Sequence, residues 1–259
     1  MFLLLRYEEK YYSAMTLLIG IDDTDNRWSK GTGHRARQMG LKLMNAGLAD
    51  LFCITRHQLL VDKRIPFTSH NSSACLLVNA KADKEEIIIF CRKYLKRAGA
   101  FFSDVGLCVA EYEKVHENVV KWGNDAKKII LTKEQAHSLA TSEGIHLEGL
   151  TGKKIGVIGS LAAVGLRKEG NDGRVLWLNQ LRELRGVHLA GELKKITRIE
   201  SIISMEGTPV EDHENIDLGE WCRPMMKNNK ITLITQEDTN NGKCKWKVAP
   251  KEHIKSITE

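Results

Sequence analysis

Three carboxylates fall within four positions of this chain: Asp22, Asp23 and Asp25, in the segment Gly20-Ile21-Asp22-Asp23-Thr24-Asp25-Asn26. They follow an apolar run, Leu17-Leu18-Ile19, that reads as a buried strand. Like charges this close repel, and a shared cation relieves the repulsion. Hard oxygen donors suit Mg²⁺, which proteins hold through one or two carboxylates plus substrate phosphates. The cluster therefore reads as a metal–phosphate site at a strand end. It reads as readily as a solvated turn whose Asp or Asn side chain caps the next helix.

A second segment, Gly152-Lys153-Lys154-Ile155-Gly156-Val157-Ile158-Gly159-Ser160-Leu161-Ala162-Ala163-Val164-Gly165, is built largely of small residues. Small residues let a backbone approach phosphates, and the N–H groups of a helix start attract anions. Lys153 and Lys154 add charge. The spacing is not that of a P-loop. The same residues suit a helix packed tightly through Gly and Ala, and the two roles are compatible.

Other polar segments are less telling alone. Between Arg64 and Asn71 a cation and a proline precede Thr68, Ser69 and His70. Arg64 suits a phosphate, and Thr68 to Asn71 suit a polar pocket or an ordinary strand connection. Ser103-Asp104-Val105-Gly106 is a short polar turn before a strand. His34, Arg35 and Arg37 open a helix near the carboxylates, where Arg35 or Arg37 can balance them or face solvent. Trp221-Cys222-Arg223-Pro224 and Trp246 suit aromatic packing, with base stacking the alternative. Glu211-Asp212-His213-Glu214 suits a solvated loop or a cation contact.

The elements that must position these residues follow from periodicity. Residues 16–22 read as a strand and 34–46 as a helix closed by Gly47. Leu51–Val61 and Ser73–Asn79 read as strands, Lys84–Arg97 as a helix stopped by Gly99, and Gly106–Glu111 as a strand. The β-α-β-β-α-β order is the split βαβ pattern of ferredoxin-like sheets. Tyr112 to Gly144 reads as mostly helical, with Thr132 and Gln135 at capping-box spacing. From Arg174 the pattern turns to short strands, and Asn240-Asn241-Gly242 reads as a hairpin turn between Ile231–Thr235 and Lys243–Val248. The fold class is α+β: a split βαβ sheet with helices, then a smaller β-rich C-terminal part.

With 259 residues, 42% hydrophobic and 28% charged, the chain has the composition of a globular protein with ample core. A net charge of +6 fits attraction to polyanions such as nucleotides or RNA. Six cysteines without a C-x-x-C pair read as reduced and structural, hence cytoplasmic. The N-terminal apolar run is too short for a signal peptide, and no stretch reaches the roughly 18 apolar residues of a membrane span. Met15 reads as an alternative start, with residues 1–14 as an appendage.

Taken in order, Ile19-Gly20-Ile21-Asp22-Asp23-Thr24-Asp25-Asn26, Gly31-Thr32-Gly33, Ile65-Pro66 through Asn71, Ser103-Asp104-Val105-Gly106 and Gly156-Val157-Ile158-Gly159-Ser160-Leu161-Ala162-Ala163-Val164-Gly165 resemble the archaeal tRNA(Ile) 2-agmatinylcytidine synthetase family. The chain looks like the family's kinase-like domain with its attached ferredoxin-like domain, over roughly residues 16 to 180. The resemblance implies a nucleotide-binding domain over 15–190 and a β-rich substrate domain, open to a ferredoxin-like reading, over 191–259. It implies an ATP- and Mg²⁺-dependent phosphoryl-transfer or ligase-type enzyme; in the family, ATP activates a cytidine carbonyl and agmatine displaces the phosphate. Asp22, Asp23 and Asp25 would be catalytic and hold the metal. Lys153, Gly156, Gly159, Ser160 and Gly165 would contact the nucleotide, with Arg64 assisting. Thr68, Ser69, His70, Asn71 and Asp104 would line the substrate, and tRNA or a small amine would be the partner.

Three departures accompany this. The family's autophosphorylated threonine falls in a Gly-Met-Cys-Thr stretch, whereas here Thr32 directly follows Gly31. The chain shows no OB-fold and none of the C-x-x-C pairs of a zinc ribbon. Lys153-Lys154-Ile155 replaces a glycine-richer run. A non-catalytic nucleotide- or RNA-binding module is the alternative they leave.

Overall fold

Strand β1 (Thr16–Asp22) is the apolar run that leads to the carboxylates, and it lies between two helical layers. Successive side chains of a strand point to opposite faces. Leu17, Ile19 and Ile21 enter one core with Met39 and Leu43 of α1 (Thr32–Asn45) and Ile87, Cys91 and Leu95 of α2 (Lys84–Ala98). Leu18 enters the other with Val119 and Trp122 of α3 (Glu117–Asp125) and Leu161 and Val164 of α5 (Val157–Glu169). Helix α4 (Lys133–Ser142) adds Ala136 and Ala140 to that second core. These features come from a computed structural model that describes residues 15–26, 28–65, 71–238 and 244–258.

β1 pairs antiparallel with β3 (Ser72–Ala80) and β4 (Gly106–Glu111), and β3 pairs antiparallel with β2 (Ala49–Gln58). The order β4-β1-β3-β2, with one helix after β1 and one after β3, is the split βαβ arrangement that the sequence pattern predicts. β5 (His146–Gly149) extends the β4 edge and β6 (Arg174–Leu178) the β2 edge. Beyond β6 lie β10 (Met225–Lys227), β11 (Lys230–Glu237), β12 (Trp246–Val248), β9 (Asn215–Asp217) and β7 (Val187–Leu189), while β8 (Ser201–Ser204) pairs parallel with β11. All twelve strands among the described residues belong to one mixed, mostly antiparallel sheet, so the fold is α+β. Two short helices, α6 (Ala190–Ile196) and α7 (Lys251–Thr258), accompany the C-terminal strands. No helix among the described residues is long and apolar enough to cross a membrane. All six cysteines are free and buried.

Helix α5 is buried along nearly its whole length, which explains its apolar, small-residue composition. The Thr132 capping box forms: Gln135 N–H donates to Thr132 Oγ1 at 3.3 Å and Thr132 N–H to Gln135 Oε1 at 2.9 Å. Helix α1 begins at Thr32, two residues before its predicted start, because Thr32 N–H finds the Asp25 carboxylate. β2 stops at Gln58 rather than Val61. Leu59 and Leu60 N–H donate instead to the carbonyls of Asn71 and Ala126, which turns the chain off the sheet. Close by, His57 Nδ1 lies 2.7 Å from Asp172 Oδ1, and Lys127 pairs with the other Asp172 oxygen. The predicted appendage 1–14, residues 66–70 of the polar loop and the Asn240-Asn241-Gly242 turn lie outside the described residues.

Candidate functional site

The carboxylates stand where β1 ends and the chain must turn toward α1. Asp23 makes that turn with φ of 49°. The left-handed region is costly for most side chains but open to Asp and Asn, so the residue type suits the turn. Thr24 is fully buried and its hydroxyl lies 3.2 Å from Thr32 Oγ1. Thr32 donates to Asp25 Oδ1 through both its hydroxyl, at 2.7 Å, and its N–H, at 3.1 Å. Asp25 therefore closes the N-terminus of α1, where a negative charge is favoured. Asp25 is thus engaged with the helix start, while it also lines the cavity with Asp22 and Asp23.

Asp22 lies over the first turn of α5. A side chain at Gly159 would collide with the Asp22 carboxylate, so glycine is what lets the two meet. Gly156 brings the start of α5 against the ends of β1 and β4, and its N–H donates to Asp104 O at 2.8 Å. Asp104 N–H in turn donates to Asp23 Oδ2 at 3.2 Å.

These groups form one wall of a cavity of about 210 Å³. Asp22, Asp23, Asp25, Thr32, Gly156 and Gly159 lie on it with Arg64, Asn71 and Ser72, while Leu59, Ile65, Ile129, Ile130, Leu131, Ile155 and Ile158 supply apolar surface. An apolar lining with a few polar groups is the usual make-up of a small-molecule site.

The electrostatics are those of an anion-crowded, poorly hydrated corner. Burial, then the neighbouring Asp23 and Asp25 charges, pushes Asp22 well above the ordinary carboxylate range. Burial, then the Asp104 and Asp25 charges, raises Asp23 to about 6 against the relief given by the Asp104 N–H. Among the described residues no group of three or more His, Cys, Asp or Glu side chains is arranged to hold a metal ion. The donor set still fits Mg²⁺, which takes part of its shell from ligand phosphates and water. Asp22 and Asp23 are the carboxylates whose crowding a cation would relieve.

Of the residues singled out in the sequence, the structure gathers Asp22, Asp23, Asp25, Arg64, Asn71, Gly156 and Gly159 around one cavity, with Asp104 directly behind Asp23. Arg64 holds Asp62 through two bonds of 2.9 and 2.7 Å. Lys153, Ser160 and Gly165 are not brought to the cavity wall. Lys153 gives its N–H to Asp104 Oδ1, Ser160 gives its hydroxyl to Val157 O at 3.2 Å, and Gly165 lies against the Val119 carbonyl of α3. Thr68, Ser69 and His70 lie outside the described residues. Sequence reasoning missed the apolar wall. Its one signal was Ile129-Ile130-Leu131, an apolar triplet in an interhelical loop, two of whose side chains are left exposed.

No protein-family model matches the chain, and no curated protein matches it. Nine solved chains match. A tRNA fluorescent labeling enzyme aligns with a TM-score of 0.52 and 22% identity over 58% of this chain and 36% of its own. TiaS in a complex with an isoleucine tRNA and ATP aligns with a TM-score of 0.51 and 23% identity, with the same coverage. TiaS with that tRNA, AMPCPP and agmatine gives 0.50 and 22%, again over 58% and 36%. The chain thus spans about a third of the length of these structures, and at this identity the likeness is one of fold.

Proposed function

We propose that this chain is an ATP- and Mg²⁺-using enzyme of phosphoryl-transfer or ligase type that acts on tRNA or a related RNA. The observation that carries the reading is the pair Asp22 and Asp23, raised in proton affinity and lining a cavity with both polar and apolar residues. The apolar residues Ile129, Ile130, Leu131, Ile155 and Ile158 suit the flat faces of a purine. The polar end, where α5 begins, suits the phosphates. Mg²⁺ supplies charge neutralisation at the phosphate oxygens when bound. Asp22 and Asp23 would hold it, while Asp25 fixes the start of α1 and Gly159 keeps room for the Asp22 carboxylate.

Support for the nucleotide and the RNA comes from the fold neighbours, solved with ATP, AMPCPP and an isoleucine tRNA. The agmatine in one of those complexes supports a small amine as co-substrate.

Calorimetric titration of ATP with Mg²⁺ into wild type and Asp23→Asn, together with phosphate release in the presence of tRNA, tests the proposal. Wild type is expected to bind and turn over, and Asp23→Asn to bind at least tenfold more weakly, about 1.4 kcal/mol. Equal binding by both proteins removes the assigned role. Binding without turnover under any RNA selects the non-catalytic module.

A further inference from the structure

Three aromatic side chains stand out of the surface beside the carboxylates. Trp28 and Phe102 are each 90% exposed and Phe101 is 78% exposed, whereas the next most exposed large apolar residue among those described, Val61, reaches 64%. Such surface is costly to leave in water and marks contact sites when it is grouped. Phe102 also carries φ of 64°, a strained backbone for a bulky residue.

The three are grouped by hydrogen bonds. Asn26 Nδ2 donates to Phe101 O at 3.1 Å, and Asn26 Oδ1 accepts Trp28 N–H at 3.0 Å, so one amide ties both aromatic-bearing loops. Ala100 N–H donates to Thr24 O at 3.1 Å, and Asp104 N–H to Asp23 Oδ2 at 3.2 Å. The Phe101 and Phe102 rings touch, with centroids 4.2 Å apart. Trp28 follows Asp25 by three residues, so their Cα atoms are within about 11 Å of one another.

The charge next to this platform is positive. Lys30, Arg35 and Arg37 surround His34 at the start of α1 and, after burial, hold its imidazole below the usual range. Arg37 lies beside Arg182, and Arg182, Arg37 and Arg174 crowd Arg223. Arg174 and Arg223 flank the Trp221 ring, at 5.7 and 5.6 Å from its centroid. A basic track therefore runs from Trp221 across α1 toward the loop that carries Trp28.

We infer that Trp28, Phe101 and Phe102 form a base-stacking platform for single-stranded RNA at the mouth of the carboxylate cavity, with Arg37, Arg182 and Arg223 contacting its phosphates. The inference rests on the RNA part of the function proposed above. Aromatic platforms beside a cationic groove are the general means of holding unpaired nucleotides. Charge complementarity selects RNA over a second copy of this chain, whose own track is equally basic.

Fluorescence anisotropy with a labelled single-stranded oligoribonucleotide of about 12 nucleotides tests this, in wild type and in Trp28→Ala/Phe101→Ala/Phe102→Ala. The exposed side chains leave the melting temperature unchanged on removal. The triple variant is expected to bind the oligonucleotide at least tenfold more weakly and Mg²⁺–ATP as wild type does. Tryptophan emission of wild type is expected to be quenched on binding more than that of Trp28→Ala. Arg37→Ala/Arg223→Ala is expected to weaken binding and flatten its salt dependence. Equal RNA binding by wild type and the triple variant overturns the platform and leaves the nucleotide site standing. So does binding of phosphatidylserine vesicles, or self-association, without RNA binding. Failure of wild type to bind either RNA or Mg²⁺–ATP overturns the reading of the cavity itself.

Discussion

Asp23 is charged at neutral pH only against resistance. Its carboxyl is raised to about 6 by burial and by Asp104 and Asp25, so protonation relieves the folded state more than the unfolded one. Its contribution to stability is thus present below the ordinary carboxylate range and is lost as pH rises through about 6. Asn keeps the left-handed turn without the charge. In EDTA, Asp23→Asn is expected to melt above wild type at pH 8, by on the order of 2 kcal/mol after solvent screening. The two are expected to coincide near pH 4. Thermal melts across that range check it, and a variant no more stable than wild type at pH 8 means the carboxylate is not strained. Only the local part of this crowding was legible in the sequence, since three carboxylates within four residues repel in any fold that holds them together; burial and the approach of Asp104, which weigh more at Asp23, depend on the fold. The division of labour was not legible either. That Asp25 is taken by Thr32 depends on where α1 starts, which follows from the contact itself.

Helix α5 shows what a small-residue helix does in this fold. Its glycines read equally well as a phosphate cradle or as packing, and the structure separates them along the helix. Gly159 faces the Asp22 carboxylate, whereas Gly165 faces the Val119 carbonyl of α3. Gly165→Ala forces α3 outward and is expected to cost about 1–3 kcal/mol of stability, as overpacking does, while Mg²⁺–ATP affinity stays near wild type. Gly159→Ala displaces Asp22 and is expected to weaken that affinity at least tenfold. Denaturant melts and calorimetry on the two variants distinguish the roles, and a larger affinity loss at Gly165 reverses them. The strands around α5 were readable from apolar runs and from turn residues such as Gly47 and Gly99. Two things were not. β2 ends early because Leu59 and Leu60 find carbonyls at Asn71 and Ala126, and Ile129 to Leu131 become a cavity wall only when that same chain turn faces them. Both depend on residues distant in sequence, and periodicity carries no such information.

The sheet is continuous from β5 to β7, yet every described residue lining the cavity lies between Asp22 and Gly159. The C-terminal strands join through β6, where Met225 pairs with Arg174, Val175 N–H donates to Pro224 O at 2.8 Å and Met226 N–H to Gly173 O at 2.9 Å. Because β1, α1 and α5 carry both the cavity and the two cores, a ligand seated there stabilises the body of the molecule. At a hundred times its dissociation constant a ligand adds about 2.7 kcal/mol. For a chain of this length that raises the melting temperature by roughly 5–10 °C. ATP with Mg²⁺ is expected to produce this rise at pH 8. ATP in EDTA is expected to produce little of it, since a bare triphosphate meets the charge of Asp23. Lowering the pH below about 6 protonates Asp23, so the cation loses a ligand and the difference between the two conditions shrinks. Thermal melts with and without Mg²⁺ at pH 8 and pH 5 measure all of this in one series. An equal rise with and without the cation at pH 8 would show that the phosphates do not meet the carboxylates, and that the cavity's occupant is bound by its apolar wall alone.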